Sequence, residues 1–265
     1  MKFIIALFCV ALATMVAIPV ISGLQFFGTV PAGSWLSMGW APDAGEYGLG
    51  LPLAGSLLVV LVSLPPTIIL AWGLAFQVAG LRGQGVQTAA ISLMQTWAAM
   101  PSVVIGVWAI SAVLPLIREV AGSGYSLLAA SAGLTLFLAP AAALLFMQSY
   151  KEYRQQYGDL EKAAELTGME RSIIFFKGCS GEVGHVINYT FCRLFGETMI
   201  VLMLSGNALQ LPGSLFDGVR TMTATIALEA AYATGEHELA LHGLAMVSIL
   251  ILGITMLLRL QNEKA

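Results

Sequence analysis

Long apolar runs separated by shorter polar segments make up most of the sequence. A helix needs about 20 predominantly apolar residues to cross the hydrocarbon core of a bilayer. Six runs reach that length and are predicted to be membrane spans, with bounds at about 3–24, 51–78, 88–117, 126–148, 184–205 and 239–259. We therefore expect an all-α membrane protein with six transmembrane helices, in which residues 1–265 form a single transmembrane domain.

The composition supports this class and argues against others. Hydrophobic residues make up 58% of the chain and charged residues only 10%, whereas a soluble domain has roughly 25% charged residues. A net charge of −3 provides no basic surface for nucleic acid, so we expect no nucleic-acid partner. The apolar run that follows Lys2 is longer than the core of a cleaved signal peptide, and we interpret it as an uncleaved first span.

Cysteines and histidines do not predict a metal or cofactor site. The three cysteines show neither CxxC pairing nor the spacing of metal ligands. His185 stands apart from the other two histidines, and His237 and His242 are spaced five residues apart, which places them on different faces of a helix. We expect the GEHE stretch at 235–238 to be a solvated external turn.

Lysines and arginines are distributed unequally between the two sides of the predicted membrane. If the N-terminus is cytoplasmic and the spans alternate, only Arg118 and Arg220 lie outside, and Arg193 lies within a span. Cytoplasmic loops are enriched in basic residues, so this orientation is favoured, with both termini in the cytoplasm. The basic residues on the cytoplasmic side are Lys2, Arg82, Lys151, Arg154, Lys162, Arg171, Lys177, Arg259 and Lys264.

Prolines interrupt two of the predicted spans. Pro65 and Pro66 lie in the second run and Pro101 in the third, so kinks or tilts are expected there. Pro101 removes a backbone hydrogen bond within a span, and the hydroxyl of Ser102 is placed to satisfy the freed group. Pro101 and Ser102 are candidates for the wall of a transport pathway, and a simple kink is the alternative.

The fifth run carries two charges, Arg193 and Glu197. An arginine at the centre of a membrane helix costs on the order of 2.5–3.5 kcal/mol on insertion scales. Positions i and i+4 share a helix face, so the two side chains are expected to pair. One interpretation is a pair that locks helix packing; the other is that Arg193 faces an anion route and is held by Glu197 until an anion arrives. Thr198 is a further candidate to line that route.

The longest cytoplasmic loop covers about 149–183. Asp159 is predicted to cap a short helix through LEKAAELT that ends at Gly168. Ala163 and Ala164 are small and allow close approach by a partner protein. The alternative is an amphipathic connector that lies on the membrane surface.

Several stretches resemble a known family. The loop is similar to the EAA loop of ABC importer permeases, with Lys162-Ala163-Ala164 followed by Gly168. The chain resembles phosphate-importer permease subunits of the PstC type in stretches that cover most of its length. These are WAPDAGEYGLGLPLAGSL at 40–57, AAMPSVVIGVW at 98–108, RLFGETMIVLMLSGN at 193–207 and the closing segment from RTMTATIALEAAYATG onward.

The resemblance implies a specific architecture and mechanism. The fold would be that of a type I (MetI-like) ABC importer permease in a bacterial inner membrane. Lys162, Ala163, Ala164 and Gly168 would couple it to a dimer of ATPase subunits. A second permease subunit and a periplasmic phosphate-binding protein would be further partners in the lipid bilayer. In that phosphate-permease family, the arginine and glutamate that correspond to Arg193 and Glu197 are implicated in transport, and the resemblance implies the same role here.

Two departures from the family pattern concern coupling. Lys162 stands where the family has a glutamate, and the Leu-Pro that normally follows the glycine is absent.

The chain also lacks a GxxxxGK[ST] phosphate-binding loop, so we expect a transport subunit and not an enzyme, without a cofactor of its own.

Other functions remain open at this point. The chain is also compatible with a permease for another oxyanion, such as molybdate or sulfate, or with a sensor that has kept the fold but lost transport. A stand-alone secondary transporter would more naturally show an inverted repeat, and none is evident. An intramembrane enzyme lacks a nucleophile–base or metal constellation.

Overall fold

The computed structural model describes residues 2–81, 83–163 and 167–262, and nearly all of its regular structure is helical. A short antiparallel hairpin, β1 and β2, precedes the third helix and pairs Trp40 with Tyr47. A 3-10 turn at Pro42–Ala44 joins its strands. The strands are β1 Trp40–Ala41 and β2 Glu46–Tyr47, and the helices are α1 Lys2–Thr29, α2 Ala32–Trp35, α3 Gly50–Ala79, α4 Gln84–Ala98, α5 Ser102–Ala112, α6 Leu114–Ala121, α7 Leu127–Ala163, α8 Gly168–Gly178, α9 Ser180–Gly196, α10 Met199–Leu204, α11 Met222–Glu229 and α12 Glu236–Asn262.

Within the described ranges, four segments are helical, long and apolar enough to cross a membrane. They contain nearly all of the predicted runs 3–24, 51–78, 126–148 and 239–259. The bent pair α4–α5 would make a fifth span, and the run at 184–205 falls on α9 and α10. The chain is therefore an all-α protein built for a membrane. The four segments are Leu7–Thr29, Gly50–Ala79, Leu127–Gln155 and Glu236–Arg259.

The prolines act differently in the two spans that contain them. Helix α3 continues through Pro65 and Pro66. At Pro101 the chain leaves the helix altogether, and α4 and α5 meet at 97°. The hydroxyl of Ser102 makes no hydrogen bond within the described residues. The carbonyl of Trp97, which the N–H of residue 101 would bond in a continuous helix, instead accepts the N–H of Met100 at 3.1 Å. The predicted kink is thus a full break, because proline disfavours a helical conformation in the residue before it.

Helix α7 is the centre of the packing. It contacts α3, α4, α5, α9 and α10. At Gly133 the approach is close: an added Cβ would lie 2.5 Å from Leu204 and 3.1 Å from Ile200, and 4.0 Å from Ala109. The absent side chain therefore allows α5, α7 and α10 to meet at one point.

The loop between α7 and α9 differs from the sequence prediction. Helix α7 runs past Asp159, so this residue does not cap a separate helix. Gly168 begins α8 and does not end a helix, because Thr167 and Glu170 form a capping box at this point. The side chain of Phe175 in α8 is fully buried among rings that include Tyr150 and belong to α3 and α7. The aromatic contacts hold α8 against the body of the protein.

Candidate anion-transport site

A helix break separates the two charged residues of the fifth apolar run. Helix α9 ends at Gly196, and Glu197 has an extended backbone, with φ −73° and ψ 126°. The expected ion pair between Arg193 and Glu197 is wrong, since no such contact joins them in the described part of the chain. Two features favour the break: glycine is a poor helix former, and the Glu197 carboxylate accepts the N–H of Met199 at 3.2 Å, near the start of α10.

Arg193 is exposed on the surface of the single chain. Its guanidinium carbon lies 5.8 Å from the ring centroid of Phe137, a residue of α7 that is only 3% exposed. This is a cation–π distance, so the buried ring holds the guanidinium in position. No carboxylate pairs with Arg193 among the described residues, and its donors are therefore available to an outside group.

Glu197 and Thr198 form the connection between the half-helices. Glu197 is 5% exposed, and its backbone carbonyl accepts a hydrogen bond from the hydroxyl of Thr223 at 3.3 Å. Thr198 is half-buried, and its hydroxyl makes no hydrogen bond to any described residue. Glu197 therefore has a structural role at the start of α10, in addition to any role in transport.

The two helix breaks flank the same stretch of α7. Trp97, four residues before Pro101, donates its indole N–H to the carbonyl of Leu136 at 3.1 Å. The neighbouring Phe137 contacts Arg193 from the other broken helix. Beyond the two breaks, the half-helices α5 and α10 both contact α7 at Gly133. Arg193 and the half-helices α5 and α10 thus contact one α7 segment, 133–137, and discontinuous helices of this kind are common at transporter binding sites.

A second polar cluster on the predicted external side was missed by the sequence analysis. The carboxylate of Glu229, whose side chain is 5% exposed, accepts from three partners. Arg220 Nη1 and His237 Nε2 each lie 2.8 Å from one of its oxygens. The indole N–H of Trp40 lies 3.0 Å from the carboxylate as well. One buried acid therefore joins the hairpin, the segment before α11, and α12.

The cluster around Glu229 corrects the prediction for the GEHE stretch, and one feature of the sequence could have indicated the cluster. His237 is not a solvated residue, because it contacts Glu229 and its side chain is 12% exposed; Glu236 and Glu238 beside it are exposed. Arg220 also donates from Nε to the carbonyl of Asn207 at 3.0 Å. Glu229 interrupts an otherwise uncharged stretch at 221–235, and such an isolated acid indicates a buried partner.

The predicted coupling residues lie in the loop between α7 and α8. Lys162 and Ala163 are the last two residues of α7, and Gly168 is the first residue of α8. Ala164 lies outside the described residues. This part of the loop consists of the end of one helix, a short connection and the capped start of another.

Comparison with known proteins supports the predicted resemblance. No protein-family model matches the chain. It is 25% identical over 255 residues to the phosphate transport system permease protein PstC of Pasteurella multocida, covering 85% of this chain and 78% of that protein. The PstC of Haemophilus influenzae is also 25% identical, over 254 residues, with 85% and 80% covered. The probable PstC of Methanocaldococcus jannaschii is 24% identical over 239 residues, with 78% and 75% covered. The similarity to PstC-type permeases extends over most of the chain and is confirmed.

Proposed function

We propose that this PstC-like chain is the permease subunit of an ABC-type phosphate importer and forms half of its translocation pathway. The observation that carries the proposal is the similarity to phosphate permeases over 85% of the chain. Arg193 is exposed, has no acidic partner among the described residues and lies next to the helix break at Glu197, which supports the proposal independently. Nothing in the structure favours a molybdate or sulfate permease or a transport-inactive sensor.

The proposed topology has six spans in one type I, MetI-like permease domain over residues 1–265. The bent pair α4–α5 forms the third span, and α9 with α10 forms the fifth. Both termini are cytoplasmic, in the inner membrane of a bacterial cell. The unequal distribution of lysine and arginine supports this orientation.

In the proposed mechanism, Arg193 binds the phosphate through the planar donor edge of its guanidinium. Such an edge matches two phosphate oxygens at once. Phe137 fixes the guanidinium, and Glu197 fixes the start of α10. The hydroxyls of Thr198 and Ser102, neither bonded within the described residues, supply further donors beside Pro101. The buried carboxylate of Glu197 also disfavours retention of an anion, which must leave as well as enter.

Partner subunits complete the proposed importer. A periplasmic phosphate-binding protein delivers phosphate to the external segments 25–50 and 206–238. A dimer of ATPase subunits docks at Lys162, Ala163, Ala164 and Gly168 and supplies the energy. A second permease subunit supplies the other half of the pathway, because Arg193 lies on an open surface of a single chain.

Uptake of radiolabelled phosphate by cells tests the proposal. Arg193→Gln removes the cation but keeps a long polar side chain, and we expect uptake to fall to background at normal protein abundance. Arg118→Gln is the matched control, because Arg118 is an exposed arginine of α6 and is not one of the predicted pathway residues; it should leave uptake unchanged. Normal uptake by Arg193→Gln would contradict the pathway assignment.

Co-purification tests the coupling assignment. The unmutated chain, expressed with its ATPase, should recover the ATPase, and Ala164→Asp should lose it because a charge enters a close contact. Retention of the ATPase by Ala164→Asp would show that docking occurs elsewhere.

A further inference from the structure

A large cavity opens between α4 and the inner part of α7. Its volume is about 880 Å³. None of the described residues that line it carries a carboxylate, whereas two are cationic and four are amides. These residues are Lys151, Arg154, Gln87, Gln95, Gln148 and Gln155.

The two cations of this cavity have no acidic partner among the residues that the structure describes. Neither Lys151 nor Arg154 forms an ion pair with a described residue. The guanidinium carbon of Arg154 lies 5.9 Å from the ring centroid of Tyr150, which is 9% exposed and fixes the charge at the cavity wall. The nearest acid along the helix, Glu152, lines a different cavity together with Glu182.

The donors of this cavity suit a phosphate group. Ammonium and guanidinium groups make charge-assisted hydrogen bonds to phosphate oxygens. The amide of Gln148 bonds weakly to Glu152 at 3.4 Å and that of Gln87 to the carbonyl of Val78 at 3.4 Å. Gln95 and Gln155 have no bonded partner among the described residues. Their amides add neutral donors without adding repulsion.

The position of the cavity connects it with the transport site. Phe137 and Lys151 both belong to α7 and are fourteen residues apart, which is about 21 Å along a helix. Gln95 in the cavity wall is two residues from Trp97, which bonds to α7 beside Phe137. The cavity lining extends to Leu144 of α7, seven residues or about 10 Å along the helix from Phe137.

We propose that this cavity, which we call the inner basic cavity, is a second phosphate-group site at the cytoplasmic mouth of the pathway. The inference rests on the proposed function for its orientation and its place after Arg193. A second, weaker site lowers the barrier to release, because an ion that has several sites moves between them in steps. The phosphate group belongs either to free phosphate leaving the pathway or to the headgroup of an anionic lipid in the inner leaflet.

Binding to the purified full-length chain tests the site. Every variant in this experiment also carries Arg193→Gln, so that the transport site does not contribute to phosphate binding. The chains are placed in nanodiscs of phosphatidylcholine. Equilibrium binding of radiolabelled inorganic phosphate is measured. Adding Lys151→Gln and Arg154→Gln together should weaken binding by about tenfold or more, because two charge-assisted donors are lost. Lys177→Gln, a cytoplasmic-side control outside the cavity, should have no effect.

A second arm identifies the source of the phosphate group. The same chains are placed in nanodiscs that contain phosphatidylglycerol without free phosphate, and retained lipid is measured by native mass spectrometry. Binding of free phosphate that depends on Lys151 and Arg154 supports an exit site. Retention of phosphatidylglycerol with the same dependence, without phosphate binding, supports a lipid headgroup site. If neither ligand depends on these residues, the proposal is overturned.

Two checks keep the outcome independent of folding and of the proposed function. Each single substitution, Lys151→Gln or Arg154→Gln, should weaken binding partially, in chains that elute and give far-ultraviolet circular dichroism spectra like the parent. Normal cellular uptake by Arg193→Gln would contradict the pathway assignment of Arg193, and absence of phosphate uptake by the unmutated importer would contradict the proposed function; neither would alter this binding result. Failure of either assignment is therefore seen separately.

Discussion

Glu229 is a single buried residue on which the side chains of Trp40, Arg220 and His237 converge. Replacing it with alanine leaves the guanidinium of Arg220, whose side chain is 17% exposed, without its carboxylate. Breaking a buried ion pair by removing one partner costs about 3–5 kcal/mol. We expect Glu229→Ala to lower the free energy of unfolding by that amount, measured by titration with sodium dodecyl sulfate. Glu236→Ala, at an exposed acid seven residues away, is the control and should change little; equal effects would contradict the role assigned to Glu229.

Phe137 positions Arg193 without itself offering a hydrogen bond. A partly exposed cation–π contact contributes about 0.5–1 kcal/mol, so its loss corresponds to a two- to fivefold effect on phosphate affinity. We expect Phe137→Leu to raise the KM for phosphate uptake by about two- to fivefold, with protein abundance checked by immunoblot. Phe137→Tyr keeps the ring and should restore the KM. If leucine and tyrosine behave alike, the ring does not position Arg193.

The sequence identified single charges better than their partners. Arg193 is conspicuous because it interrupts an apolar run, and its role in transport stays a prediction. Its pairing with Glu197 was predicted from helical spacing and is wrong, because the helix ends between them. Glu229 was missed altogether, since Trp40 is 189 residues away and the nearer partners, Arg220 and His237, lie outside its own helix α11.

The capping box of Thr167 and Glu170 stabilises the start of a single helix, α8. Hydrogen bonds from the hydroxyl and backbone N–H of Thr167 lower the pKa of Glu170. The ionised carboxylate therefore stabilises this helix start above the ordinary pKa, and the stabilisation is lost as the pH falls through the lowered value. Thr167→Ala should raise the pKa of Glu170 toward its ordinary range, as measured by carbon NMR of the labelled carboxyl group. Ser180→Ala, outside the box, should not shift it.

Gly133 sets the spacing of three helices. An added Cβ would meet Leu204 and Ile200, both of which are completely buried. Overpacking of a core typically costs about 1–3 kcal/mol, so we expect Gly133→Ala to lower the free energy of unfolding by that amount in the same detergent titration. Gly73→Ala in α3 is the matched control, because an added Cβ meets nothing within 4 Å there. It should be neutral or stabilising; destabilisation by Gly73→Ala alone would contradict the packing argument.

The existence of the long helices was predictable, but their ends and breaks were not. Apolar length alone located α1, α3, α7 and α12. Helix α7 continues beyond the predicted cap at Asp159, and its inner part packs through Tyr150 and Tyr153 against Phe175 of α8. Long-range packing of this kind overrides a local capping signal.

Orientation is a property of the whole molecule, and it is tested with reporter fusions. Alkaline phosphatase is active only outside the cytoplasm, and green fluorescent protein exported in unfolded form is not fluorescent. With the proposed topology, green fluorescent protein at the C-terminus should fluoresce and alkaline phosphatase there should be inactive. Alkaline phosphatase inserted after Gly213, in the external segment 206–238, should be active. The reverse pattern would contradict the proposed orientation.

The whole-molecule resemblance was also accessible from short motifs. The stretches around Pro101 and Arg193 indicated a PstC-type permease, and relatives that match over 85% of the chain support it. The inner basic cavity was not accessible in this way. Its residues come from α4 and α7, and their common groove depends on how those helices pack.

The polar cluster around Glu229 has a consequence for biosynthesis. Trp40 and Glu229 are 189 residues apart in sequence. A ribosome that adds about 5–20 residues per second needs roughly 10–40 s to extend from one to the other. Throughout that interval the indole of Trp40 cannot bond to the carboxylate of Glu229, and a nascent chain that terminates before Glu229 never forms this contact. We therefore expect products truncated before Glu229 to be cleaved by proteases near Trp40 more readily than the full-length chain.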